Sequence, residues 1–317
     1  MLFFRLPFQD KIFTTSENSN NVFVNFISFD DSKKIGFKGN IKEISKEDFL
    51  KTKPALSKFN FQNHIETKEE YLQKIEKTID FIKENNLGKL VVARKKFVDI
   101  QNINIPKTFL NLCENYPSAF VYFFNENGEN WIGAFAEILG KFNKKTSEFE
   151  TMSLAGTLPL NETWSEKEKS EQQCVTDYIL DVLKKYDLKP ELSETFDHIS
   201  GNIKHLRADF KVKMNAEYFD DLISELHPTP AVCGFPKELC KKAISELENF
   251  DREFYCGYSR IETEEGIYCF VNLRCGKIYE NRAELFVGGG ITAQSSPEKE
   301  WRETELKSEA LLKNFRY

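Results

Sequence analysis

The sequence predicts an α+β fold in which runs of antiparallel strands are separated by helices. Two apolar segments, "AFVYFF" and "WIGAFAEIL", flank the dipeptide Asn127-Gly128, which is a strong hairpin signal. Two further strand-like segments, residues 266–276 and 282–291, follow one another without an intervening helix. Helical patterns occur between some of these runs and not after each strand. This arrangement favours an α+β fold over a doubly wound parallel sheet.

The first half of the chain begins with a region of weak patterns. Residues 1–65 are rich in Phe and Asn and predict no definite element. Residues 68–86 predict a helix, and Gly88 ends it before the strand "KLVVAR". Four apolar residues form one face of this helix: Leu72, Ile75, Ile79 and Ile82. The hairpin follows, and "FETMSLAGT" is a further strand that runs into a turn.

The second half contains three predicted helices. The first covers residues 165–186, and Pro236 opens the second. The third is "PEKEWRETELK", in which Ser295 and Ser296 are candidate caps and Pro297 lies in the first turn. The apolar stripes of the first two helices are Val175, Tyr178, Ile179 and Val182, and then Leu239, Ala243 and Leu247.

Composition limits the class of protein. Of 317 residues, 40% are hydrophobic and 30% are charged, which is ordinary for a globular protein. The net charge of −6 argues against general nucleic-acid binding, so an anionic small substrate would need a local group of cations. Seven cysteines without a C-x-x-C pair suggest reduced thiols in the cytoplasm. No segment is apolar for long enough to predict a signal peptide or membrane span.

Two pairs of carboxylates recur at helical spacing. Glu300 and Glu303 share a helix face with Lys307, and Glu168 and Glu171 repeat the same spacing. Either pair alone is typical of a solvated helix face, on which an ion pair contributes a few tenths of a kcal/mol. Two pairs that meet across a cleft would suit Mg²⁺, which takes few protein carboxylates.

Three charged residues stand next to apolar segments. Lys89 begins a strand, where a lysine is usually solvated, although apolar neighbours can make it a base. Glu137 follows Gly-Ala-Phe-Ala; a lone Glu at a strand end is usually exposed, but apolar surroundings would keep it protonated, as a general acid requires. Arg274 lies inside an apolar strand, which is costly unless it meets an anion.

Other candidates remain open between two interpretations. The glycines of "VGGGI", including Gly289, either form a tight turn or offer backbone N–H groups to a carboxylate. His205 and His227 are either contacts to a polar substrate or core histidines with satisfied hydrogen bonds.

Nine segments, in this order, resemble the chorismate-utilising enzyme family. They extend from about Lys89 to Lys307, and "LHPTPAVCGFP" is most similar to the isochorismate synthase branch, in which water is the nucleophile. The nine are "KLVVAR", "GAFAEIL", "SLAGTLP", "EQQCV", "IKHLRADF", "LHPTPAVCGFP", "REFYCGY", "FVNLRCG" and "FVGGGITAQSSPEKEWRETELK". The resemblance implies two antiparallel β-sheets packed face to face with helices outside. It also implies one chorismate-binding domain over residues 1–317, with its motifs in residues 68–317 and residues 1–67 as its N-terminal part.

The resemblance also implies an activity and its residues. An isomerase would convert chorismate to isochorismate for menaquinone or siderophore biosynthesis, with Lys89 activating water at C2 and Glu137 protonating the departing C4 hydroxyl. Neither of these two side chains is expected to contribute to core packing. The other implied residues are Mg²⁺ ligands Glu171 and Glu303, their neighbours Glu168 and Glu300 acting through water, carboxylate contacts Tyr255, Arg274, Gly289 and Lys307, and ring contacts Thr157 and His205. No glutaminase subunit, nucleic acid or membrane partner is expected.

Some positions depart from the family pattern, and they bear on specificity. Gln172 stands where the family usually has His, and Phe135-Ala136 replaces a common Ser-Pro. Lys89 and Ala155 favour water over ammonia as the nucleophile. The alternative is a salicylate synthase, which makes isochorismate and then eliminates pyruvate. An inactive relative that only binds a partner is a third interpretation.

Overall fold

A computed structural model describes residues 1–16, 19–59, 64–201 and 203–317, in which the chain forms eighteen strands and seven α-helices. The helices are α1 (Lys46–Leu50), α2 (Lys68–Glu84), α3 (Ile105–Asn115), α4 (Glu166–Lys185), α5 (Phe219–Leu226), α6 (Lys237–Leu247) and α7 (Pro297–Leu312). The first nine strands are β1 (Leu2–Arg5), β2 (Ile12–Thr15), β3 (Val22–Ile27), β4 (Lys34–Lys38), β5 (Ile41–Ile44), β6 (Lys89–Asp99), β7 (Phe120–Glu126), β8 (Glu129–Phe135) and β9 (Ile138–Asn143). The other nine are β10 (Glu148–Pro159), β11 (Glu191–Leu192), β12 (Phe196–Ser200), β13 (Ile203–Lys213), β14 (Gly234–Phe235), β15 (Tyr258–Glu262), β16 (Gly266–Val271), β17 (Cys275–Ile278) and β18 (Arg282–Ile291).

The strands form two sheets in which neighbouring strands are antiparallel. The order of the first sheet is β14-β6-β18-β17-β8-β7-β1-β2-β5, and that of the second is β11-β13-β10-β9-β16-β15-β3-β4, with β12 also paired to β13. In the first sheet, β6 pairs with β18 from Asp99 opposite Arg282 to Leu90 opposite Ile291. The predicted α+β class is therefore confirmed.

The two sheets pack face to face through aromatic side chains. The ring of Phe120 on β7 stacks on Phe270 of β16, with centroids 4.9 Å apart, and Phe124 contacts Phe26 of β3 at 4.8 Å. Helices cover the outside; Phe109 of α3, for example, contacts Phe49 of α1 at 4.9 Å over the first sheet. Large buried rings make the interface between the sheets the main apolar core. The predicted layering is confirmed.

Most local predictions match the elements, and one helix face is shifted. The hairpin β7–β8 turns at Asn127 and Gly128, both with positive φ. The buried face of α2 includes Ile75, Ile79 and Ile82, whereas Leu72 is only partly buried. The prediction for Leu239 is wrong: it is 36% exposed, and α6 buries Cys240, Ala243 and Ile244. None of the described helices combines the length and apolarity that a membrane span requires.

Two regions differ more strongly from the sequence prediction. Residues 1–65 provide β1 to β5 and α1, and their strands form edges of both sheets. Residues 266–276 are two strands and not one, because the chain leaves β16 of the second sheet and enters β17 of the first. Arg274 lies at this crossing with a φ of 47°, in the left-handed region. The chain also crosses between the sheets from β8 to β9, at Ala136 and Glu137.

Candidate active site

A cavity of about 230 Å³ lies where the chain crosses between the two sheets. Its wall includes eight of the predicted site residues: Glu137, Thr157, Glu171, His205, Tyr255, Arg274, Gly289 and Lys307. The other four, Lys89, Glu168, Glu300 and Glu303, do not line it but contact residues that do. Residues distant in sequence thus bring several charged and polar side chains together in one pocket of an otherwise apolar core.

Backbone hydrogen bonds join the two crossings and position Glu137 and Arg274. The N–H of Val271 donates to the carbonyl of Glu137 at 3.0 Å, and the N–H of Ala134 donates to the carbonyl of Arg274 at 3.2 Å. Arg274 has a left-handed backbone conformation, which turns the chain from β16 of the second sheet into β17 of the first. A carboxyl and a guanidinium are consequently held on the same wall.

Glu137 is a buried carboxyl whose pKa is raised. Its side chain is only 5% exposed, and burial raises its pKa to about 7 although Lys89, Lys307 and Arg274 act in the opposite direction. A carboxyl with this pKa is substantially protonated near neutral pH and can donate a proton.

Lys89 is buried beside Glu171 and is not a solvated strand end. Its Nζ lies 2.8 Å from Glu171 Oε1, but the angle is not that of a hydrogen bond, and this Nζ has no hydrogen-bond partner in the described part of the chain. A Cβ on Gly290 would lie 2.4 Å from both Glu171 Oε1 and Lys89 Cε. Lys89 is 1% exposed and ranks among the largest fully buried side chains, so the expectation that neither it nor Glu137 contributes to packing is wrong.

His205 makes hydrogen bonds to Gly156 and to Arg274, and these two contacts define its tautomer. Its Nδ1 lies 2.8 Å from the carbonyl oxygen of Gly156, which can only accept, so Nδ1 carries the proton. Nε2 then accepts from Arg274 Nη2 at 3.3 Å, and Thr157 Oγ1 lies 3.2 Å from Nδ1. Burial, together with Arg274, lowers the pKa of His205 to about 3. The neutral imidazole therefore orients the guanidinium.

His227 belongs to the core and not to this pocket. Its Nε2 lies 3.2 Å from the carbonyl of Phe29, and burial lowers its pKa to about 3. Of the two interpretations of His227, the core histidine is the one that fits.

The glycines of "VGGGI" are the point at which the carboxylates meet. They lie within β18 and pair with β6, so the interpretation of these glycines as a tight turn is wrong. A Cβ on Gly289 would lie 3.2 Å from Glu300 Oε2 and 3.4 Å from Glu303 Oε1. Glu171 approaches Gly290 in the same way. Carboxylates from α4 and α7 can come this close because the strand has no side chains there.

Each of these carboxylates faces a lysine, and one oxygen is left over. Glu303 Oε1 is 2.6 Å from Lys307 Nζ. Glu300 Oε1 accepts from Lys167 Nζ at 2.8 Å and from Ser295 Oγ at 2.7 Å, whereas its Oε2 is buried without a hydrogen-bond partner among the described residues. Burial and the charge of Glu303 raise the pKa of Glu300. Burial also acts to raise the pKa of Glu303, but Lys307 and Lys167 hold it below its ordinary value.

The remaining polar side chains of α4 fix the helix. Glu168 accepts hydrogen bonds from Ser165 N at 3.0 Å and Ser165 Oγ at 2.6 Å. The first of these, together with the backbone N–H of Glu168 donating to Ser165 Oγ, forms a capping box. Gln172 donates to Ser153 and Thr176 at 2.9 Å, and so ties α4 to β10. This is the position at which the sequence departs from the family's usual His.

The donor set fits a hard divalent cation. Carboxylate oxygens are the ligands that Mg²⁺ prefers, the buried Oε2 of Glu300 has no other partner, and the glycine strand leaves room beside it. In the described residues no three His, Cys, Asp or Glu side chains are already grouped as a metal cage. Because Mg²⁺ keeps several waters and substrate oxygens as ligands, a few carboxylates suffice.

Several site residues have no local sequence signal. Lys167 lies in "SEKEKSE", a charge run typical of a solvated face. Ser295, a candidate cap, donates instead to Glu300. Ser296 is the cap residue, and its side chain makes no capping hydrogen bond to the described part of α7. His198 and Tyr116 also line the cavity, and only the tertiary fold brings them there.

Comparisons with known proteins point to one family. The profile of the chorismate binding enzyme family matches residues 10–316. Isochorismate synthase EntC of Escherichia coli K12 is 37% identical over 154 residues, 48% of this chain and 39% of that protein. Isochorismate synthase MenF of Haemophilus influenzae is 28% identical over 249 residues, 74% of this chain and 57% of that protein. These alignments span less than two thirds of either relative.

The structural comparison agrees over nearly the whole chain. The crystal structure of a putative 2,3-dihydroxybenzoate-specific isochorismate synthase, DhbC from Bacillus anthracis, superposes with a TM-score of 0.80 at 24% identity. The superposition covers 99% of this chain and 95% of that one. At this identity the similarity establishes the fold.

Proposed function

This chain belongs to the chorismate-binding enzyme family, and from that premise we propose that it is an isomerase that converts chorismate to isochorismate. The observation that carries the proposal is Glu137, a buried carboxyl with a pKa of about 7 that shares a cavity with Arg274 and Lys307. Chorismate is a dianion with a hydroxyl leaving group, so its isomerisation needs an acid and nearby cations. The relatives named as isochorismate synthases support this choice of reaction.

Two side chains would move the protons. Lys89 accepts a proton from the water whose oxygen bonds to C2 of the ring. The ring double bonds shift, the C4–oxygen bond breaks, and Glu137 gives its proton to the departing hydroxyl, which leaves as water. Water is thus consumed and released, and the product is an isomer of the substrate. General acid and general base steps of this kind each contribute about 10²- to 10⁴-fold to a rate.

Cations and backbone groups would hold the two carboxylates of the substrate. Arg274, oriented by His205, offers a planar pair of donors, and Lys307 adds a second positive charge. We assign Tyr255 and Gly289 to the same carboxylates, and Thr157 and His205 to the edge of the ring.

Glu171 and Glu303 would hold Mg²⁺ directly, with Glu300 and Glu168 acting through water. When bound, the ion would neutralise substrate charge and polarise its oxygens. Glu300 has the buried free oxygen that such a site needs. We further propose that residues 1–317 form one domain, and that the enzyme works in the cytoplasm, since its seven cysteines are all free.

The decisive experiment is to incubate the protein with chorismate and Mg²⁺ and to separate the products by chromatography. Isochorismate as the product supports the proposal. Anthranilate or aminodeoxychorismate, formed when ammonium is added, would overturn it. No turnover, with chorismate bound, would identify a binding protein.

Salicylate synthase remains the second candidate function because it makes isochorismate first in the same site. The same chromatography separates the two activities: salicylate and pyruvate would accumulate together, and isochorismate supplied as the substrate would be consumed to form them. The enzymes that consume isochorismate determine whether it serves menaquinone or siderophore biosynthesis, because the isomerisation is the same in both pathways.

A further inference from the structure

Lys167 contacts the carboxylate that a divalent cation would need. It is the second residue of α4, and its Nζ lies 2.8 Å from Glu300 Oε1. Ser295 Oγ donates to that same oxygen at 2.7 Å. Glu300 is 1% exposed, and its other oxygen, Oε2, is buried with no hydrogen-bond partner within the described ranges. One side of this carboxylate is therefore used by protein cations and donors, while the other side is free.

The surroundings of Lys167 are strongly negative. Glu303 and Glu171 act on its ammonium in addition to Glu300, and a Cβ on Gly289 would reach oxygens of both Glu300 and Glu303. The Lys167 side chain is 18% exposed, so it has a direct route from this cluster to solvent. A divalent cation that reaches the free Oε2 of Glu300 through a water would be repelled by the ammonium that holds Oε1 of the same carboxylate.

We propose that Lys167 is a tethered competitor of the divalent cation. Its ammonium balances Glu300 and keeps the two helices α4 and α7 together until the metal binds, and it must leave Glu300 when the metal arrives. Lys167 thereby lowers the metal affinity of the site. The inference rests on the proposed magnesium site, and it concerns a residue that neither moves a proton nor binds substrate.

The test is a calorimetric titration with Mg²⁺ alone, without chorismate. Lys167→Met removes the ammonium and keeps most of the side-chain volume. Lys169→Met is the matched control, because Lys169 lies on the same helix turn but pairs with Glu166 in solvent. We expect Lys167→Met to bind Mg²⁺ at least about tenfold more tightly than the native protein, and Lys169→Met to differ by less than about twofold.

Thermal unfolding provides the second measurement. Without metal, Lys167→Met should melt below the native protein, because Glu300 loses its partner, and Mg²⁺ should raise its melting temperature by more than it raises the native one. Lys167→Arg keeps the charge and should retain native behaviour. Lys167→Gln removes the charge but keeps a donor for Glu300, so it should also bind Mg²⁺ more tightly than the native protein; it replaces Lys167→Met if that variant fails to fold.

Three outcomes would overturn the inference. They are Mg²⁺ binding by Lys167→Met that is no tighter than native, equal tightening in Lys169→Met, or no Mg²⁺ binding by either the native protein or Lys167→Met. Isochorismate formation is measured separately, so the proposed reaction can stand or fall independently.

Discussion

Lys307 Nζ lies 2.6 Å from Glu303 Oε1, and the same ammonium donates a hydrogen bond to the carbonyl of Gly288 at 2.8 Å. The two side chains are one turn apart on α7 and are only 16% and 17% exposed. A solvated pair at this spacing contributes about 0.3–0.5 kcal/mol, whereas breaking a buried pair costs more because it leaves a charge without a partner. The Glu–Lys stripe of α7 therefore faces the cavity wall and not solvent.

Glu137→Gln should lower turnover by about 100-fold or more, because an amide cannot supply the proton. In the native protein, turnover should fall as the pH rises through about 7, since the rate depends on the protonated carboxyl and its pKa is about 7. Steady-state rates across the neutral pH range, for both proteins, measure this. Near-native turnover in Glu137→Gln would show that another group is the acid.

The same raised pKa makes a separate prediction for stability. From 4.5, the ordinary pKa of a Glu, up to about 7, the folded protein binds more protons at Glu137 than the unfolded chain. The contribution of Glu137 to the free energy of unfolding is therefore fully present below this range and is lost as the pH rises through it. Denaturant unfolding at several pH values should give a smaller pH slope in Glu137→Gln. An unchanged slope would mean that Glu137 titrates normally.

Gly290→Ala should abolish most turnover although it adds only a methyl group. Its Cβ would lie 2.4 Å from Glu171 Oε1 and from Lys89 Cε, so at least one of these side chains must move. Gly88→Ala, immediately before Lys89, is the matched control because a Cβ there meets no atom of the described residues within 4 Å. Turnover and circular dichroism should be measured for both variants. Equal activity in the two would show that the position of Lys89 against Glu171 does not matter.

Elements with strong local patterns could be predicted from the sequence, and the weaker ones could not. The Asn127-Gly128 turn and the amphipathic stripe of α2 depend on neighbouring residues alone, so they match the structure. The strands within residues 1–65 have little alternation and lie at one end of each sheet, and pairing of β1 with β7 and of β3 with β15, both distant in the chain, attaches them to the sheets. Arg274 interrupts an apolar run because the chain changes sheets there, which no local pattern records.

The candidate site shows the same division. Eight of the predicted residues line one cavity. They could be predicted together because the family resemblance names them as one set. The partners of these residues were not predictable. Lys167 on α4 contacts Glu300 on α7, 133 residues further along the chain, and Arg274 contacts His205, 69 residues away. Contacts of this kind depend on the packing of the sheets and not on spacing along the sequence.

Arg274→Lys should raise the KM for chorismate by about tenfold or more while it changes kcat less. Lysine keeps the charge but loses the planar pair of donors and the hydrogen bond to His205 Nε2. Initial rates over a range of chorismate concentrations separate the two constants.

His205→Asn tests whether His205 positions Arg274. It should also raise the KM for chorismate, and this effect should largely disappear in an Arg274→Lys background. An unchanged KM in Arg274→Lys would mean that the guanidinium does not meet the substrate.

Glu303→Gln should remove most Mg²⁺-dependent turnover and destabilise the metal-free protein. Relief of its repulsion with Glu300 works in the opposite direction on stability, but Lys307 and Lys167 hold the pKa of Glu303 below its ordinary value, so the net effect of its charge in the fold is stabilising. Glu309→Gln is the matched control on the same helix, because Glu309 pairs with Lys313 at 3.5 Å on the surface, also at i,i+4. That control should cost about 0.3–0.5 kcal/mol and keep the native response to Mg²⁺.

Turnover against Mg²⁺ concentration and melting temperature with and without Mg²⁺ should be measured for both variants. If Glu303→Gln has the same Mg²⁺ curve as Glu309→Gln, the carboxylate of Glu303 binds no metal and serves only to hold Lys307.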